Sequence, residues 1–190
     1  MRSAPIQLSP ILFRRVSVEL DAARFTDSGT PPSDAPFNFE SVTIQTHVGF
    51  TPTEGATSSE RSFFLTLHVV IGNEPSDNTD ARFSPYLIDI EAGAEVRALP
   101  GTEARGDVED LIVVNGTSLL WSAIREQVCT LTARMPAGLV MLPTVNFHDL
   151  KRQQREGGGE VLQQAPAPAI AKPKTKKRGA GAGKAAVRPE

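Results

Sequence analysis

The sequence predicts an α+β domain, in which a four-stranded antiparallel sheet carries a long carboxyl-terminal helix on one face. Apolar residues alternate along the first two thirds of the body, the pattern of half-buried strands. From Leu120 to Met135 the apolar period changes to three and four residues, which indicates a helix. The loops between the alternating segments are short, and short loops favour antiparallel neighbours. Helices packed on one face of an antiparallel sheet satisfy all three observations.

Four strands are predicted from the alternation, over residues 11–20, 41–50, 63–71 and 83–92. The second strand sets apolar side chains against polar ones, which is typical of a half-exposed strand. The third strand is apolar on both sides, so we expect both of its faces to be at least partly covered. Clusters of Pro, Gly, Asp, Ser and Asn separate the strands.

Two helices are predicted after the strands. The first begins at Asp107, whose carboxylate can cap the amides that follow it, and breaks at Asn115 and Gly116. The second is capped by Thr117 or Ser118 and ends at Pro136. Its apolar stripe consists of Leu120, Ile124, Val128, Leu131 and Met135. An extended segment over 139–144 and a short polar helix anchored by Phe147 and Leu150 complete the body.

The charge distribution divides the chain into an acidic body and a basic tail. Residues 1–150 carry 10 Arg and Lys against 19 Asp and Glu, a net −9, whereas residues 151–190 carry 10 against 3, a net +7. The tail is rich in Gly, Pro, Ala and Lys and has few large apolar side chains to offset the entropy of ordering it. We therefore predict a folded domain over 1–155 and a disordered tail over 156–190.

Composition and motifs argue against a membrane protein and against an enzyme. No apolar run is long enough to span a bilayer, and prolines and arginines interrupt the amino-terminal stretch, so we expect a cytoplasmic protein. The single cysteine, Cys129, is expected to be a buried thiol. His47, His68 and His148 share no metal-ligand spacing, and no nucleophile elbow or phosphate loop is present. Neither a metal nor a cofactor is expected.

Two carboxyl-terminal features resemble one known family. Residues 119–126 read Leu-Leu-Trp-Ser-Ala-Ile-Arg-Glu, and residues 142–147 read Leu-Pro-Thr-Val-Asn-Phe. The SecB protein-export chaperones similarly have an aromatic residue followed by Arg-Glu on a long helix, and then an extended segment that ends in Pro-Val-Asn-Phe. The run Tyr-Leu-Ile-Asp-Ile at 86–90, followed by Gly93, also resembles the fourth strand of that family. The resemblance covers about residues 10–155.

The resemblance implies a holdase chaperone. Members of the family assemble as a dimer of dimers and hold unfolded polypeptides, such as preproteins for Sec-dependent export, in long apolar grooves. On this basis the expected client-binding residues are Phe13, Phe50, Phe64, Tyr86, Leu139, Val140, Met141 and Leu142. The expected subunit contacts of the homotetramer are Trp121, Ile124, Arg125 and Val128, and for Trp121, Ile124 and Val128 packing of the helix within its own chain is the competing interpretation. For any one strand aromatic, an ordinary core position is the competing interpretation.

The resemblance also suggests a docking patch for the SecA motor, with Glu19, Leu87 and Asp89 at the matching positions. A solvated strand face explains the same three residues. Two features depart from the family: Arg15 replaces an acidic residue, and the tail is lysine-rich. A changed docking surface is typical of a member dedicated to another partner, such as an antitoxin.

A function of a different class is predicted by the basic run 172–178, which begins at Lys172 and ends at Arg178. This run can neutralise the phosphates of a nucleic acid or of an anionic membrane, so an adaptor is the alternative to a chaperone. It has no interleaved aromatic residue for base stacking. A solvating extension, or a segment that folds back on the acidic body, is the interpretation that we favour.

Overall fold

The structure is a computed structural model, and it describes residues 6–22, 37, 39–53, 61–73 and 83–151. Its elements are β1 (Ile6–Leu8), β2 (Leu12–Leu20), β3 (Gln45–Pro52), β4 (Arg61–Ile71), β5 (Tyr86–Ala98), a 3₁₀ turn (Thr102–Arg105) and α1 (Val108–Thr132). The α+β class is confirmed. The predicted disordered tail lies outside the described residues. Within the described ranges, no helix is long and apolar enough to cross a membrane.

All strand pairs are antiparallel, and the order across the sheet is β1/β2, β5, β4 and β3. The prediction of four strands is wrong, because two strands share the same edge of β5: Ile6 lies opposite Ala98, and Leu12 lies opposite Gly93. Pro10 lies between these strands and has no N–H for the ladder. Ser9 stays beside β5 at this interruption: its N–H donates to the carbonyl of Glu95 at 2.9 Å, and its hydroxyl accepts from the N–H of Glu95 at 2.9 Å.

An irregularity in β2 places two consecutive arginines on one face. The register with β5 shifts between Phe13 and Arg15, so Arg14 has no partner residue in the ladder. Arg14 bonds to Glu91 at 3.5 Å, and Arg15 bonds to Asp89 at 2.9 Å. Both arginines therefore lie on the side of the sheet that faces away from α1, which we call the outer face.

The opposite side of the sheet, the core face, is packed against α1. Alternate residues of β4 and β5 are almost completely buried there, namely Leu65, Leu67, Val69, Ile71, Tyr86, Ile88, Ile90, Ala92, Ala94 and Val96. The small side chains of β5 leave room for the helix to approach closely. The helix packs mainly on β4 and β5 and touches β2 only slightly.

The predicted break at Asn115 and Gly116 is wrong, because α1 is one continuous helix. Gly116 is a point of close packing: a Cβ at this position would lie 2.6 Å from Cδ2 of Leu65. The predicted cap is confirmed, since the Asp107 side chain accepts a hydrogen bond from the N–H of Asp110 at 3.1 Å. The helix ends at Thr132, before the predicted end at Pro136.

Candidate functional site

The extended segment 138–147 lies along α1, and polar contacts to its backbone hold it there. Arg125 Nε donates to the carbonyl of Leu142 at 2.8 Å, and Trp121 Nε1 donates to the carbonyl of Pro143 at 2.9 Å. The Trp121 ring also meets the Phe147 ring edge-on, with centroids 5.9 Å apart. These contacts join the aromatic residue and the arginine of α1 to the extended segment 138–147. The sequence resemblance rests on these two parts of the chain.

The start of the same segment is held by two buried hydroxyl groups. Thr132 Oγ1 accepts a hydrogen bond from the N–H of Val140 at 3.0 Å and donates to Val128 at 2.8 Å. Tyr86 Oη donates to the carbonyl of Gly138 at 3.0 Å. Burial raises the pKa of the Tyr86 phenol, against the smaller opposite effect of a backbone hydrogen bond. The phenol is therefore a hydrogen-bond donor at neutral pH.

This anchoring fixes which side chains of the segment face solvent. Val140 and Leu142 are fully buried, whereas Leu139 and Met141 are 40% and 38% exposed. Arg125 Nη2 lies 2.8 Å from Sδ of Met141, which fixes the direction of that side chain. The segment therefore presents two apolar side chains on a backbone that cannot easily rotate.

A second exposed apolar surface lies on the edge strand β2. Phe13 and Val16 are 38% and 43% exposed, whereas Leu12, which is 61% exposed, lies opposite Gly93 on the outer face. Phe13 and Val16 lie opposite Ala92 and Ile90 of β5, so they belong to the core face, beyond the part that α1 covers. Exposed apolar side chains that lie side by side are typical of binding surfaces.

Two sets of predicted site residues need correction, because packing within the chain buries them. Tyr86, Val140 and Leu142 do not lie on a surface that a client can reach; they belong to the hydrophobic core. Trp121, Ile124 and Val128 are also buried, in contact with the sheet and with the extended segment 138–147. Arg125 is half-buried. The helical stripe thus faces the sheet of its own chain.

The remaining two aromatics of the predicted client site lie on opposite faces of the sheet. Phe50, on the core face, stacks on Phe63 with centroids 4.6 Å apart. Phe64, on the outer face, lies beneath the Arg14 guanidinium at 5.0 Å, and its ring leans over Gly93. There Phe64 lines an open pocket of about 490 Å³ together with Ser9, Leu12, Pro52, Thr53, Ala94 and Glu95. The predicted client residues therefore do not form one groove.

The predicted docking residues do lie together, on the outer face. Glu19 lies directly opposite Leu87, and Asp89 follows Leu87 on the same side of β5. Both Asp89 oxygens are occupied, by Arg15 Nη1 at 2.9 Å and by His68 Nε2 at 2.7 Å. Partial burial by itself would raise the pKa of Asp89, but these hydrogen bonds and charges outweigh it and hold the pKa below its usual range.

A pair of histidines on the same face was not anticipated from the sequence. His47 of β3 lies directly opposite His68 of β4, with ring centroids 5.7 Å apart. Sequence spacing does not reveal this pair, because a hairpin register, not a short motif, brings the rings together. In the described part of the chain, no group of three or more His, Cys, Asp or Glu side chains is arranged to hold a metal ion.

Comparison with known proteins gives little further guidance. No family model and no curated protein matches the chain. It is similar to a protein of unknown function from Streptococcus agalactiae, with a TM-score of 0.46 and 10% identity over 73% of this chain and 96% of that one. It is also similar to a SecB-like chaperone of Mycobacterium tuberculosis in complex with a ChAD peptide from the HigA1 antitoxin, with a TM-score of 0.37 and 19% identity over 74% and 91%. At these TM-scores, neither similarity assigns a family or a function.

Proposed function

We propose that the chain is a holdase chaperone, without enzymatic activity, that binds unfolded polypeptide through exposed apolar side chains of the segment 138–147 and of β2. The observation that carries the proposal is the anchored segment 138–147, which keeps Leu139 and Met141 exposed while their neighbours are buried. An unfolded client offers apolar side chains without a fixed shape. Apolar contact is non-directional, so exposed side chains such as Leu139 and Met141 can meet apolar groups of different shapes.

Phe13 and Val16 extend the proposed client surface along β2. In keeping with the sequence resemblance, we place this chaperone in the cytoplasm as a homotetramer. The expected mass in light scattering is therefore about four times the 20.4 kDa of one chain. A mass of one chain would contradict the assembly without bearing on client binding.

A dedicated partner, such as an antitoxin, is the form of this function that we favour over export of preproteins. Docking onto SecA through the outer face would require Asp89 to offer its carboxylate to the motor. In this chain Arg15 and His68 already engage both Asp89 oxygens. Displacing those donors would cost part of the binding energy of such a complex.

Suppression of aggregation by the full-length chain tests the proposal. A chemically denatured model client is diluted into buffer with stoichiometric amounts of the protein, and light scattering is recorded. The intact chain should suppress aggregation. The double variant Leu139→Ser/Met141→Ser should bind the client about tenfold more weakly, because two half-exposed apolar side chains contribute roughly 1–2 kcal/mol together.

The matched control is Leu87→Ser, which removes a side chain of similar exposure, 37%, from the outer face. It should suppress aggregation as the parent does, and circular dichroism should show all variants folded. The proposal fails if the intact chain does not suppress aggregation, or if the double variant and the control behave alike.

The second candidate function, an adaptor for nucleic acid or anionic membrane, rests on the charge of the carboxyl-terminal segment. All six lysines of the chain lie at position 151 or later, and the body carries arginines only. If the adaptor function is correct, the full chain should bind RNA or anionic vesicles with an affinity that falls steeply with salt. Replacing Lys172, Lys174, Lys176 and Lys177 by Gln should then abolish binding, whereas suppression of aggregation should not change.

A further inference from the structure

We propose that His47 and His68 form a binding site for a divalent transition-metal ion, of the class of Cu²⁺, Ni²⁺ and Zn²⁺, on the outer face of the sheet. This site is independent of the proposed chaperone function and lies on the side of the sheet opposite its client surface. Imidazole nitrogen is a preferred ligand for these three ions. The proposal rests on the register of β3 and β4 and on the hydrogen bonds around His68.

The separation of the two rings is close to what one ion requires. Their centroids are 5.7 Å apart, and the ring planes are tilted by 31°. A tetrahedral ion bound to two imidazoles at about 2.0–2.1 Å, with each ring centre about 1.2 Å beyond its nitrogen, places the centroids about 5.2 Å apart. Small rotations of the two half-buried side chains close the difference of about 0.5 Å.

His68 is already oriented as a metal-binding histidine. Its Nε2 lies 2.7 Å from Oδ1 of Asp89, and Arg15 Nη1 holds the other oxygen of that carboxylate at 2.9 Å. A metal-ligating histidine almost always donates its second ring N–H to a carboxylate or a carbonyl, which fixes both the tautomer and the ring orientation. Because an ionised carboxylate only accepts hydrogen bonds, Nε2 is assigned as the N–H donor to Asp89, and Nδ1 is left as the ligand atom.

The surroundings of the pair suit an ion of moderate affinity. Among the described residues, no protein group hydrogen-bonds the ring of His47. On β5, Glu91 lies opposite His68 and pairs with Arg14, so the acidic and basic charges beside the histidines largely cancel. With two protein ligands, the other coordination positions are left to water. A bound ion would link β3 to β4 across the sheet.

Titration of the full-length chain with CuCl₂, NiCl₂ or ZnCl₂ alone, followed by calorimetry, tests the site. The parent protein should bind one equivalent, with Cu²⁺ tightest, as the general order of metal affinities requires. His47→Ala and His68→Ala should each weaken binding at least tenfold. Asp89→Asn should weaken it by about tenfold without abolishing it, because the carboxylate orients His68 and is not itself a ligand.

The chain supplies its own controls, because His148 is its third and last histidine and Cys129 its only thiol. His148→Ala and Cys129→Ser should bind as the parent does. Electron paramagnetic resonance of the Cu²⁺ complex should show two coordinated nitrogens in the parent and in His148→Ala, and at most one in His47→Ala. Parental affinity in the His47→Ala/His68→Ala double variant, or loss of binding in either control, would overturn the proposal.

Discussion

Replacing Gly116 by Ala tests why a glycine lies in the middle of α1. At an exposed helical position this change is stabilising by about 1 kcal/mol, because glycine loses more backbone entropy on folding. At Gly116, however, the new Cβ would lie 2.6 Å from Leu65 Cδ2 and 3.4 Å from Val96 Cγ2. Leu65 is fully buried, so it must leave its rotamer or push the helix away from the sheet.

Such overpacking costs about 1–3 kcal/mol, so we expect Gly116→Ala to have a net loss of about 1 kcal/mol, equivalent to a Tm lower by about 2–4 °C. Urea unfolding of the full chain measures the change in the free energy of unfolding, and thermal unfolding measures the change in Tm. The matched control is Asn115→Ala, at the exposed neighbouring position, which should change stability by less than about 0.5 kcal/mol. The reasoning is refuted if Gly116→Ala is stabilising, as it would be at a helix position free of tertiary contact.

Two further predictions concern the anchor of the extended segment and the outer face. Thr132→Val leaves the buried N–H of Val140 without its acceptor and should cost about 1–3 kcal/mol in urea unfolding. Thr130→Val, at an exposed position, should cost less than about 0.5 kcal/mol, and equal losses would contradict the role of the buried hydroxyl. The pKa of Asp89 is lowered in the folded state, so its contribution to stability is present above its ordinary value of about 3.9 and is lost as the pH falls through the lowered pKa. Asp89→Asn should therefore flatten the acid limb of the stability curve, and a curve parallel to that of the parent would contradict this assignment.

The strands and the helix were predictable because their signals are local. Alternation placed the third strand at 63–71, and the structure has it at Arg61–Ile71. β1 was missed because its three residues are too few to show a period. The close packing at Gly116 was not predictable for a different reason. Its neighbour Leu65 lies on a strand far away in the sequence, and the residues around the glycine do not indicate that contact.

The candidate site was less predictable, because exposure depends on partners that the sequence does not reveal. Tyr86 can be buried because its hydroxyl donates a hydrogen bond to the Gly138 carbonyl, which gives the buried polar group a partner. Alternation along the extended segment was visible in the sequence, but which side faces the solvent was not. His47 and His68 meet because β3 and β4 pair in one particular register, and a shift by one residue would move one ring to the other face.

The two exposed apolar surfaces have different physical causes. An α-helix with its side chains is about 10–12 Å wide, whereas the outermost of four strand positions lie about 14 Å apart, so one helix cannot cover the whole core face. Phe13 and Val16 on β2 are exposed for this reason, which is a property of the architecture. Leu139 and Met141 are exposed because hydrogen bonds hold the backbone on either side of them, which depends on particular residues of α1. A substitution in α1 can therefore remove the exposed surface formed by Leu139 and Met141 and leave the one on β2 intact.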